Sequence, residues 1–118
     1  MSLELDSLGF IVEPSEEFSV YASVDPSIVG SNTLRAEILD TSGKVISSSD
    51  LTNVSNTFIW YGSLTAPSDS GDYVLRLAIY DSSGNLVEVL DEIGFRVDTI
   101  YEREMLRNID TWVRYRRM

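Results

Sequence analysis

Acidic side chains at predicted turns are the residues whose type and position best suit chemistry in this sequence. Loop carboxylates supply the oxygen ligands that Ca²⁺ prefers, and two carboxylates flanking a cleft can hydrolyse a glycoside. Aspartate also favours turns for a structural reason, because it hydrogen-bonds to its own backbone two residues on. No stretch has the spacing of a calcium-binding EF-hand loop, so we predict that these carboxylates hold neither a metal nor a cofactor. They are Asp40, Asp69, Asp72, Asp81, Asp91 and Glu92.

The composition removes most other catalytic chemistry. The 118 residues include no cysteine and no histidine, which excludes thiolate nucleophiles, disulfides, Cys/His zinc sites and the Ser-His-Asp relay. A single domain of this length has little surplus chain with which to build a cleft. We therefore predict that the protein is not an enzyme and has no catalytic residues.

An aromatic cluster offers a second kind of site. Phe58, Trp60 and Tyr61 lie close together on one predicted strand, and aromatic rings on an exposed sheet face can stack against sugars. Phe58 and Trp60 share one side of that strand, so we expect both of them to pack in the core. Carbohydrate binding remains the alternative interpretation of this cluster.

Residues 1–98 have the pattern of an antiparallel β-sandwich of seven or eight strands. Short segments alternate between apolar and polar residues and are separated by turn signals. Residues 18–24, 34–38 and 73–80 show the alternation most clearly, and Gly43 and Gly84 end two similar Asp-x-Ser-Gly turns. Two further segments, residues 86–90 and 93–97, complete the predicted strands.

Asp69, Gly71 and Tyr73 have the Asp-x-Gly-x-Tyr spacing of a tyrosine corner, and at this point the sequence resembles the immunoglobulin superfamily. The resemblance implies that the Tyr73 hydroxyl hydrogen-bonds to the backbone just upstream and that Tyr73 begins strand F. Leu75 stands where an antibody domain has its second cysteine, so the resemblance concerns architecture alone. The run from Gly71 to Asn85 also looks like accessory sandwich modules of prokaryotic surface proteins and of tailed-virus structural proteins.

Residues 99–118 predict an amphipathic C-terminal helix. Thr99 and Glu102 form a capping box, and the apolar period changes there from two to about 3.6. The apolar stripe comprises Tyr101, Met105, Leu106, Ile109, Trp112 and Val113, and a basic tail comprises Arg114, Arg116 and Arg117. A sandwich closes its core between two sheets, so we expect the stripe to dock on a protein partner; the alternative is that it folds back on the sandwich.

Charge is divided unevenly between these two parts. Residues 1–98 carry sixteen acidic and four basic side chains, which gives a net charge of −12. Residues 99–118 carry three acidic and five basic side chains, which gives a net charge of +2. We therefore expect no nucleic-acid partner and no membrane partner. The N-terminus lacks the pattern of a secretory signal, and no apolar run reaches the length of a membrane span.

The leading hypothesis is a non-catalytic structural or accessory protein of a multi-subunit assembly. The helix would dock it to a larger assembly or to further copies of itself, with no small-molecule ligand, and a tailed-virus particle is the expected location. The alternative is an adhesion or carbohydrate-binding module of a prokaryotic surface protein at the cell surface.

Overall fold

A computed structural model describes residues 2–3 and 11–98, and the predicted C-terminal helix lies outside these residues. The described part is built almost wholly from strands, with six strands of six residues or more and three two-residue segments. The elements are β1 (Ser2–Leu3), β2 (Ile11–Val12), β3 (Glu17–Ser23), α1 (Pro26–Val29), β4 (Thr33–Leu39), β5 (Val45–Asp50), β6 (Thr52–Asn53), β7 (Ile59–Thr65), β8 (Gly71–Tyr80) and β9 (Leu86–Val97).

The strands form two sheets, which confirms the predicted sandwich. One sheet has the order β1-β3-β7-β6 and the other has the order β2-β9-β8-β4-β5. Every pairing is antiparallel except that of β2 with β9. The strand order of the four-stranded sheet matches strands A, B, E and D of an immunoglobulin sandwich. In the five-stranded sheet, β9, β8 and β4 take the places of strands G, F and C. The described part therefore has an immunoglobulin-like topology.

Alternating side chains build the core as the sequence predicts. Strand β3 buries Phe18, Val20 and Ala22 while the residues between them are exposed, and β8 buries Leu75, Leu77 and Ile79. Trp60 adds an indole from β7, and its Nε1–H donates to the Val24 carbonyl oxygen at 2.9 Å, so the buried N–H is satisfied. The remaining buried apolar residues of the cluster are Val12, Val24, Val29, Leu34, Ala36, Ile38, Leu51, Leu64, Ala66, Phe95 and Val97.

The chain crosses from one sheet to the other at Leu51, between β5 and β6. The Leu51 amide donates to the Leu34 carbonyl oxygen at 2.8 Å, and its side chain lies over Gly62 of β7. A Cβ atom on Gly62 would lie 2.6 Å from Leu51 Cδ2. Glycine at this position therefore allows the crossing chain to approach β7 closely.

Two details of the predicted strands are wrong. Residues 86–97 form one continuous strand rather than two segments, and Asp91 and Glu92 lie within it opposite Leu77 and Arg76 instead of at a turn. Irregularities in the β8–β9 register let β9 continue past these acidic residues. Phe58 precedes β7 and is 56% exposed, so it does not share the buried position of Trp60.

No helix within residues 2–3 and 11–98 is long and apolar enough to cross a membrane.

The position of each leucine relative to the core predicts its contribution to stability. Leu75→Ala removes a side chain that is 0% exposed and should lower the free energy of unfolding by about 2–5 kcal/mol. Leu86→Ala makes the same change at a residue that is 48% exposed and should change it by less than about 0.5 kcal/mol. Urea denaturation of the two variants measures the difference. Equal losses would contradict the placement of these two side chains.

Candidate functional site

The tyrosine corner is formed as the sequence predicts. The Tyr73 hydroxyl donates to the Asp69 carbonyl oxygen at 2.8 Å, and Gly71 begins β8 opposite Val97. The Tyr73 ring lies 6.0 Å from the Phe95 ring, measured between centroids, and Phe18 approaches Phe95 at the same distance. The corner therefore fixes the start of β8 and closes this end of the core with aromatic rings.

The predicted docking stripe and the basic tail lie outside the described residues, but the point where the chain leaves the sandwich is well defined. The Asp98 amide donates to the Val12 carbonyl oxygen at 3.0 Å, and the Asp98 carboxylate accepts from Arg96 Nε at 2.9 Å. The Asp98 side chain is only 7% exposed. Residue 99 thus follows directly from a residue that is held in place, at the end of the sandwich closed by the aromatic rings.

Two of the candidate carboxylates are engaged in hairpin turns. Asp40 Oδ1 accepts hydrogen bonds from the Ser42 amide and hydroxyl and from the Lys44 amide, at 2.9, 2.6 and 3.0 Å. Asp81 Oδ1 accepts from the Ser83 and Asn85 amides, each at 2.9 Å. The Ser42 hydroxyl is the main cause that lowers the pKa of Asp40, and the Asn85 amide has this role for Asp81. Both carboxylates therefore stabilise turns.

The other candidate carboxylates are not grouped into a common site. Asp69 contributes its carbonyl oxygen to the corner, and the Asp72 carboxylate lies 3.6 Å from Arg96 Nη1. Asp91 and Glu92 belong to β9. In the described part of the chain, no three acidic residues are grouped closely enough to hold a metal ion.

The outer face of the five-stranded sheet carries a charged network that the sequence analysis did not identify. Arg76 Nε and Nη2 both lie 2.8 Å from Glu37 Oε1, and the Tyr80 hydroxyl donates to Glu37 Oε2 at 2.6 Å. The Arg35 guanidinium lies 4.4 Å from the Tyr80 ring centroid and pairs with Asp50 at 2.9 Å. Two positive charges thus meet two negative ones, and Glu37 is almost completely buried. The charged and polar groups of the network therefore satisfy one another.

The outer face of the four-stranded sheet is different, because its described strands β3 and β7 carry almost no charge there. Tyr21 of β3 is directly opposite Tyr61 of β7, and the two side chains are 44% and 46% exposed. Of the fourteen residues in β3 and β7, only Glu17 is charged. We call this surface the tyrosine face; it comprises Ser19, Tyr21, Ser23, Thr52, Ile59, Tyr61, Ser63 and Thr65.

Tyr61 belongs to the aromatic cluster predicted from the sequence, whereas Tyr21 is not among the predicted site residues. The alternation in β3 placed Tyr21 on the solvent side, which was the available signal. Its neighbour Tyr61 lies forty positions further along the chain, so only the strand pairing reveals that the two rings are adjacent.

The hydroxyl of Tyr73 should contribute to stability, whereas that of Tyr21 should not. Tyr73→Phe removes the hydrogen bond to Asp69 and should lower the free energy of unfolding by about 1 kcal/mol. Tyr21→Phe is the matched control, because the Tyr21 hydroxyl has no hydrogen bond within the described part of the chain. Urea denaturation measures both. An equal effect of the two variants would contradict the corner's structural role.

The network around Glu37 predicts a pH dependence at alkaline pH. Burial is the main cause that raises the pKa of Tyr80, and its hydrogen bond to Glu37 raises it further. Unfolded Tyr80 loses its proton near about pH 10, while the folded protein retains that proton to higher pH. Stability from this residue therefore falls as the pH rises above about 10. Denaturation midpoints between about pH 8 and 11 should fall more steeply for the wild type than for Tyr80→Phe; parallel curves would refute the assignment.

Comparisons with known proteins add little to this geometry. No protein-family model matches the sequence, and no curated protein matches it. Among solved structures, the chain is similar to CopC from Methylosinus trichosporium OB3b, over 77% of this chain and 84% of that chain, with 23% sequence identity and a TM-score of 0.46. A similarity of this extent carries no argument about function, which rests on the residues described above.

Proposed function

We propose that this protein is a non-catalytic structural or accessory component of a multi-subunit assembly, and that residues 99–118 dock it there. One observation supports the proposal most directly. The end of the sandwich from which residue 99 departs is already closed by Phe18, Tyr73 and Phe95. The described rings thus close this end of the core with the sandwich's own side chains, and an apolar stripe such as the one predicted for residues 101–113 is typical of an interaction site.

The fixed position of Asp98 makes docking effective. Because its backbone and its carboxylate are both held by the sandwich, a helix that begins at Thr99 would leave the domain without a flexible linker. Less orientational freedom would then be lost when the stripe meets its partner. The partner proposed here is a protein, either another subunit or a further copy of this chain.

A tailed-virus particle is the assembly proposed first, on the resemblance of residues 71–85 to sandwich modules of such particles. An adhesion module of a prokaryotic surface protein remains the second candidate. The tyrosine face supports this second candidate, because that face is exposed and uncharged.

Removing residues 99–118 should separate folding from assembly. A chain that ends at Asp98 should melt within a few degrees of the full chain, because every residue of the described core cluster lies between Val12 and Val97. It should also sediment as a monomer and no longer enter the assembly. Sedimentation velocity and co-purification with the native assembly measure the two properties. A truncated chain that still assembles would refute docking through this segment.

A matched pair of point variants tests the stripe itself. Ile109→Asp places a charge within the predicted apolar stripe, whereas Thr111→Asp places the same charge on the opposite side of the predicted helix. We expect Ile109→Asp to abolish assembly and Thr111→Asp to retain it. Loss of assembly in both variants, or in neither, would count against the stripe as the docking surface.

A further inference from the structure

The tyrosine face stands apart from the rest of the domain in its charge. Residues 1–98 carry sixteen acidic side chains, yet the eight residues of the tyrosine face include none, and Glu17 at its margin is the only charged residue in β3 and β7. The described strands of this face therefore suit an uncharged ligand, because a charged ligand would find no counter-charge on them.

The hydroxyl groups of this face are also available for hydrogen bonds to a ligand. The structure describes four tyrosines, of which Tyr73 and Tyr80 use their hydroxyls in hydrogen bonds to Asp69 and Glu37. The Tyr21 and Tyr61 hydroxyls have no such bond within the described part of the chain. The same holds for the side chains of Ser19, Ser23, Thr52, Ser63 and Thr65. The face therefore presents seven hydroxyls that can both donate and accept.

We propose that the tyrosine face binds a neutral polysaccharide. Directly opposite residues on neighbouring strands have Cβ atoms about 5 Å apart, which is comparable with the spacing of successive sugar rings in an extended glycan. Tyr21 and Tyr61 can thus each stack against the C–H face of one ring, with Ile59 extending the apolar contact. The surrounding serine and threonine hydroxyls then bond to the sugar hydroxyls.

The size of the face favours such a ligand over a protein. Seven strand residues span about 20 Å, and two strands with their flanks cover about 10 Å, so the uncharged strip has a flat projected area on the order of 200 Å². A stable protein interface buries about 800 Å² of accessible surface on each partner, so a protein partner would have to extend beyond this strip. An extended glycan fits a narrow, flat strip, and many copies in one assembly would strengthen a modest single-site affinity.

Affinity electrophoresis of the full chain tests this proposal. The gels contain one of four neutral polysaccharides, namely hydroxyethyl cellulose, laminarin, galactomannan or dextran, and alginate serves as the anionic comparison. We expect retardation in at least one neutral gel and none in alginate. Tyr21→Ala and Tyr61→Ala should each weaken the association about tenfold. Leu86→Ala removes a similarly exposed apolar side chain from β9 and should leave the association unchanged.

Three results would overturn the assignment. They are no retardation in any of the four neutral gels, equal retardation in alginate, and equal retardation of the wild type and both alanine variants. Melting temperatures check that the variants fold, and Tyr21→Phe should retain most of the binding because the ring remains. If Tyr61→Ala instead converts a dimer to a monomer in sedimentation, the face is an interface between copies and the glycan proposal is wrong.

Polysaccharide binding by the tyrosine face can be tested separately from docking through residues 99–118. A chain ending at Asp98 retains the whole tyrosine face, so its affinity per site should equal that of the full chain, whereas any gain from several copies in one assembly would be lost.

Discussion

The inward side chains of β8 hold the two sheets together, because the chain has no cysteine with which to bridge them. Leu75, Leu77 and Ile79 are each at most 2% exposed, and β8 pairs with both β4 and β9. The stability of the domain therefore depends on the hydrophobic contact between the sheets. The tyrosine corner holds the start of β8, and the ladders with β4 and β9 fix its register along the rest of the strand.

This dependence leaves the exposed residues of the two outer faces free to differ. The five-stranded sheet uses its outer face for a network in which Glu37 is buried by its own partners, Arg76 and Tyr80. Such a network offers no unpaired charge to a ligand. The four-stranded sheet has no comparable network between Tyr21 and Tyr61, so its hydroxyls and rings face solvent. The two faces thus differ in whether their polar groups are paired internally, and the proposed role of the tyrosine face rests on that difference.

Local patterns predict much of this fold. Alternation identifies β3, β4 and β8, and the Asp-x-Ser-Gly turns are formed with Gly43 and Gly84 at positive φ. The errors arise where a local signal competes with strand pairing: Asp91 and Glu92 favour a turn, yet ladder irregularities carry β9 through them. The pairing of Tyr21 with Tyr61 is set by the register between distant segments, and no pattern within either segment encodes it.

The positions of the two proposed surfaces make their functions compatible. Glu17 pairs with Thr65 at the end of the sandwich where Asp98 leaves, and Tyr21 lies four residues further along β3. At about 3.3 Å per residue, this places the paired tyrosines about 13 Å from that end. Residue 99 therefore leaves the sandwich at its closed, aromatic end, whereas the paired tyrosines point away from the core along the side of the sandwich. The two proposed surfaces thus start from different parts of the domain.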